Sequence, residues 1–134
     1  MIGNDASTSL AVLVTLDAND RTKLTHPDVK RRNETLRAQL GGPRDGALLR
    51  YSLGAALLEA GNTAEAIAQL RAAVDFDGNY SAAWKLLGKA CLQSGDAPAA
   101  ADAWQHGLAV ADARGDVQAA KEMQVFLKRL ERGR

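Results

Sequence analysis

Residues 53–74 read LGAALLEAGNTAEAIAQLRAAV, and residues 87–108 read LGKACLQSGDAPAAADAWQHGL. The second stretch is the first displaced by 34 residues. Leu53-Gly54 returns as Leu87-Gly88, Gly61-Asn62 as Gly95-Asp96, Leu58 as Leu92, Ala66 as Ala100, Leu70 as Trp104 and Val74 as Leu108. One shift sets apolar on apolar along the whole unit, which marks a repeat architecture whose units bury their faces against one another. Inside the unit the period is helical: Leu49, Leu53 and Leu57, then Ala66, Leu70, Ala73 and Val74, follow three-and-four spacing. Gly61 and Gly95 interrupt that period, so each unit is two helices. A glycine there can take the left-handed backbone that ends a helix, and Asn62 and Asp96 are expected to cap the next one through a side-chain oxygen. Pro98 suits a first helical turn, and Asp77-Gly78-Asn79 is a turn signal.

Composition agrees with an all-helical chain. Of 134 residues, 46% are hydrophobic and 4% aromatic, so the core is built from Ala, Leu and Val, and the length suits one domain. The net charge of +1 is unevenly spread: −3 over residues 1–20, +5 over 21–50, −4 over 51–120 and +3 over 121–134. A nucleic-acid role would have to rest on the basic flanks alone. Cys91 is the single cysteine, which excludes an intramolecular disulfide. The run from Leu10 to Leu16 is too short to span a bilayer and follows no Lys or Arg, so no membrane association and a cytoplasmic location are expected.

The repeated residues resemble the tetratricopeptide repeat (TPR). The second copy places Trp84, Leu87, Gly88, Ala100 and Trp104 at that family's pattern positions, with Cys91 where a tyrosine is usual. The first copy places Leu53, Gly54, Ala66, Leu70 and Ala73 there, with Arg50 in place of the usual tryptophan. The late proline is replaced by Gly78 and Asp112. The resemblance, carried by Ala47 to Arg114, implies an all-α, TPR-type stack of antiparallel helix pairs with a right-handed superhelical course.

Extending the register divides the chain into an N-terminal extension, 1–26, partly flexible over its first eight residues, and a TPR domain, 27–134. The domain comprises a half-repeat helix over 28–40 with Leu36 and Leu40 on its core face, repeats at 47–80 and 81–114, and a capping helix over 116–131. Glu122 stands where a third repeat would need glycine.

No residue pattern points to catalysis, a cofactor or a metal site. Cys91 falls on a buried helical face with no adjacent base, which reads as core packing, not as a nucleophile. His26 and His106 are isolated and lack ligand spacing. His26-Pro27-Asp28 resembles the loop of J-domain co-chaperones but reads more simply as the opening of a helix. Arg114-Gly115-Asp116 resembles an integrin-binding tripeptide but reads as a helix break followed by a cap.

By the resemblance, the first helices of the repeats line a concave groove, placing Tyr51, Ala55 and Leu58 with Lys85, Lys89 and Leu92 on it. Lys85 and Lys89, one turn apart, either attract an acidic ligand or are simply solvated. The clamp with which some TPR domains hold chaperone tails needs Lys and Asn where this chain has Tyr51 and Ala55. The leading expectation is therefore a non-catalytic adaptor that holds a protein or peptide. The alternative is a self-associating, dimeric module built on Leu10, Leu13, Met123, Phe126 and Leu130, because the last helix is apolar beyond one packing stripe. A third expectation, nucleic-acid binding through Lys30-Arg31-Arg32 and Arg37, lacks interleaved aromatics.

Overall fold

A computed structural model describes residues 27–133 of the chain. Among them are six α-helices and no strand: α1 Pro27–Ala38, α2 Ala47–Glu59, α3 Thr63–Phe76, α4 Ser81–Gln93, α5 Ala97–Arg114 and α6 Val117–Arg132. The expected half-repeat helix is shorter than 28–40. Residues 39 and 40 leave it through tight turns, with Gln39 N–H bonded to the Leu36 carbonyl and Leu40 N–H to that of Arg37. The N-terminal extension, with Leu10, Leu13 and His26, lies outside the described residues.

Three helices end in the same way. Gly61, Gly95 and Gly115 have φ of 87, 88 and 74°, and the residue after each donates its N–H to a carbonyl five residues back: Asn62 to Leu57, Asp96 to Cys91 and Asp116 to Ala111, at 2.8–2.9 Å. This six-to-one bond closes the helix and turns the chain sharply into the next one. Asp96 then caps α5 by accepting from Ala99 N–H at 3.1 Å, and Asp116 caps α6 by accepting from Ala119 N–H at 3.2 Å. Asn62 departs from expectation: its side chain makes no capping bond, so α3 begins without one. Between α3 and α4 the Asp77 carboxylate accepts from Asn79 N–H at 3.0 Å, and this local bond bends the Asp77–Tyr80 turn without a proline.

Within each pair the helices pack through a glycine. A Cβ on Gly54 would lie 2.7 Å from Leu70 Cγ, and one on Gly88 would fall inside the Trp104 indole. Trp104, Leu53, Leu57, Leu70, Met123 and Cys91 are the largest fully buried side chains. One apolar cluster runs from Leu70 through Trp104 to Met123, and a smaller one gathers Leu53, Leu57 and Ala66 with Leu36 and Leu40 of the α1 segment.

Where Arg50 stands in place of the repeat pattern's tryptophan, polar contacts substitute for the ring. Arg50, standing for tryptophan, forks onto both oxygens of Asp45 at 2.8 Å, donates to Gln69 Oε1 on α3 at 3.1 Å and lies 5.7 Å from the Phe76 ring centre. Its counterpart Trp84 donates to the Gly78 carbonyl at 2.8 Å and stacks on His106 of α5. Both side chains tie the first helix of a pair to the second, one through charge and the other through a ring.

Helix α4 runs parallel to α6, as the contacts Lys85–Glu122 and Lys89–Phe126 keep one register along both. Helix α1 packs on the next pair through Leu36 and Leu40, which join the cluster of Leu53, Leu57 and Ala66, while Arg32 meets Glu59, the last residue of α2, and Arg37 meets Glu65 in the first turn of α3.

Candidate functional site

The C-terminal halves of α4 and α6 stand side by side over Trp104 of α5. Between them opens a cleft of about 280 Å³ lined by Lys89, Leu92, Trp104, Phe126, Arg129 and Leu130. Trp104 is rigidly held. Its Nε1 donates to the Lys85 carbonyl at 3.0 Å, and its ring meets that of Phe126 at 5.0 Å and 41°. Leu92 is 43% exposed, so the wall it forms is open to an incoming group.

Charge is placed at the rim. Lys85 Nζ donates to Glu122 Oε1 at 2.7 Å, and this bond, with help from the Lys89 charge, holds the Glu122 carboxyl below the usual range. Lys89 lies over the Phe126 ring at 5.3 Å, and among the described residues no carboxylate stands in ion-pair range of it. Of the two lysines singled out for an acidic ligand, Lys85 is thus engaged by α6, whereas Lys89 borders the cleft with Arg129.

The candidate residues fall into three places. Lys89 and Leu92, expected in a ligand groove, and Phe126 and Leu130, expected in a self-association face, line the same cleft. Tyr51, Ala55 and Leu58 are half-buried on α2, Tyr51 tilted against Tyr80 at 5.1 Å, and none of the three reaches the cleft. Met123 is fully buried; its sulfur lies 2.5 Å from where a Gly107 Cβ would stand, and it offers no surface to a partner. Leu10 and Leu13 lie outside the described residues. Two cleft residues escaped the sequence reading as ligand contacts. Trp104 enters the sequence pattern only as a repeat position, and Arg129 carries no signal there beyond its place three residues after Phe126, on the same helix face.

Two of the basic residues of α1 are paired with carboxylates of α2 and α3. Arg37 forks onto Glu65 at 2.7 and 3.1 Å, and Arg32 reaches Glu59 at 3.4 Å. Cys91 is 2% exposed and burial pushes its thiol pKa up, which disfavours the thiolate. Among the described residues no cluster of His, Cys, Asp and Glu could hold a metal ion, and no helix is long and apolar enough to cross a membrane.

Against known proteins, residues 33–81 and 51–116 match the family model described as tetratricopeptide repeat. A TPR repeat-containing protein of Pseudomonas aeruginosa is 48% identical over 101 residues, 75% of this chain and 96% of that protein. A Bordetella parapertussis protein known from a solution structure is likewise 48% identical, with a TM-score of 0.66 over 75% of this chain and 88% of that one. PcrH, crystallised in complex with the chaperone binding region of PopD, is 18% identical and has a TM-score of 0.72 over 93% of this chain and 92% of its own, a likeness of fold.

Proposed function

The chain belongs to the tetratricopeptide-repeat family, and on that premise we propose that it is a non-catalytic interaction module whose α4–α6 cleft holds an acidic, leucine-bearing peptide segment. One observation carries this: a fixed tryptophan floor with aliphatic and aromatic walls, bordered by Lys89 and Arg129. Apolar anchors seated in such a pocket supply most of the affinity, while cations at the rim select for acidic flanks and speed encounter. At about 280 Å³ the cleft is small and open beside the pockets that enclose whole cofactors, and it suits side chains projecting from a helix or strand. That a protein of the same fold, PcrH, is described with a bound segment of PopD supports a peptide-holding role. A buried, unpaired Cys91 suits a reducing compartment such as the cytoplasm.

The test is anisotropy of labelled peptides carrying two leucines four residues apart between aspartates, titrated with the full chain. Saturable binding is expected, lost in Leu92→Asp and weakened about tenfold in Arg129→Glu, the loss of roughly 1.4 kcal/mol. Equal affinity for wild type and Leu92→Asp would refute this site.

A further inference from the structure

We infer that in the free protein the α4–α6 cleft is occupied by the chain's own run Leu10–Leu16, which an outside partner must displace. The inference rests on the reading of that cleft as the binding site and adds its regulation.

Chemical complementarity is the first support. The run Leu10-Ala11-Val12-Leu13-Val14-Thr15-Leu16 sits between Asp5 on one side and Asp17 and Asp20 on the other, and residues 2–20 contain no Lys or Arg. It is therefore an apolar segment with acidic flanks, and the cleft is an apolar trough with cations at its edge. Among the described residues the other exposed large apolar side chains stand outside this setting: Val117, Val125, Leu48 and Phe76 do not line the cleft that Lys89 and Arg129 border.

Topology is the second. Arg32, in the first half of α1, meets Glu59, the last residue of α2, so the start of α1 lies toward the end of the stack where α2 terminates. Helices α2 and α4 are equivalent members of the repeat and α6 runs parallel to α4, so Leu92 and Leu130 stand toward that same end. The chain leaves α1 on the side where the cleft opens.

Reach is the third. Residues 17–26 link the run to α1 and span at most about 35 Å when extended. From α1 past α2 to the α4–α6 cleft is about three interhelical steps of up to roughly 10 Å each, or about 30 Å. The link suffices, with little slack. A tethered segment meets its site at an effective concentration of order millimolar, so even weak intrinsic affinity fills the cleft.

The test uses the full chain with p-benzoylphenylalanine in place of Leu13, irradiated and mapped by mass spectrometry. The expected product has the mass of a monomer and is joined within residues 87–93 or 123–132, its yield falling severalfold when Lys89→Glu and Arg129→Glu are combined. Adducts in a species of twice the mass would make a second copy the occupant and overturn the inference, as would adducts confined to α1–α3 or none at all. As a second measurement, Leu13→Asp in the otherwise unchanged chain is expected to tighten binding of the added acidic leucine peptide about tenfold; an unchanged Kd also overturns it. A chain that cross-links at the cleft yet binds no added peptide refutes only the peptide-holding function. One that binds the peptide but neither cross-links nor responds to Leu13→Asp refutes only the intramolecular occupant.

Discussion

The indole of Trp104 occupies the space in which a side chain on Gly88 would begin, and the same ring donates its N–H to the carbonyl of Lys85, one turn earlier on α4. The glycine, the ring and the carbonyl together fix how closely α4 and α5 approach.

Gly88→Ala should therefore destabilise by about 1–3 kcal/mol, since neither the helix backbone nor a buried indole can yield cheaply. Gly88→Leu should leave no cooperative melt. Gly78→Ala, whose new Cβ would be 3.8 Å from its nearest neighbour, the Val74 carbonyl, should stay within about 0.5 kcal/mol of wild type. Calorimetry on the three variants checks this, and a wild-type Tm for Gly88→Ala would contradict the close packing.

Arg50 grips Asp45 with two nitrogens and Gln69 with a third. A lysine supplies the charge but not the planar fork. Arg50→Lys is expected to recover less than half of the Tm lost in Arg50→Ala; full recovery would show that charge alone matters.

Acid should unfold the domain. Asp45 is held far below its usual range by the Arg50 bonds and Gly41 N–H, Asp116 is lowered by Ala119 N–H and the Ser81 hydroxyl, and Glu122 by Lys85. Carboxyls with lowered folded pKa values stabilise fully above their unfolded values, 3.8 for Asp and 4.5 for Glu. That contribution is lost as pH falls through the lowered folded values, because the unfolded chain then binds more protons. Tm should be flat from pH 7 to about 5 and fall below about 4.5. Asp45→Asn should lower the plateau and flatten the fall; an unchanged acid limb would remove Asp45 from the account.

Cys91 should be inert toward a thiol-reactive disulfide reagent in the native state, since it is buried and its thiolate is disfavoured. The labelling rate at pH 8 should rise with denaturant in step with the unfolded fraction. Rapid labelling without denaturant would place the thiol on the surface.

The repeat could be read from sequence because the constraints that make it are local and periodic. Glycine is needed at 61 and 95 for positive φ, and at 54 and 88 for close approach, and each pair recurs after one unit. Gly107 carried no such signal. Its need arises only when Met123 of α6 and Trp84 of α4 converge on it, and its counterpart in the first copy is Ala73. Asn62 shows the limit of residue-type rules, for it has the capping oxygen but makes no capping bond, and the structure offers no physical reason. The cleft was half visible. Lys89, Leu92, Phe126 and Leu130 were each picked out, but for two different roles, because the α4–α6 pairing joins residues 37 apart and the repeat period is 34.

Helix α1 is the loosest tenant of the stack. Among the described residues, Leu36 and Leu40 pack it on the α2–α3 pair, the Arg32–Glu59 and Arg37–Glu65 ion pairs are solvent-exposed and of the kind that contribute little, and it buries Asn33 with an oxygen that finds no partner there. A stack joined only neighbour to neighbour frays from its ends, so α1 can melt while the cleft at the other end stays intact. Melting would lengthen the leash on residues 10–16 from about ten to about 22 residues and dilute that segment about threefold at the cleft. Heat, or a partner that peels α1 away, would then act as a thermostat on access to a site it never touches.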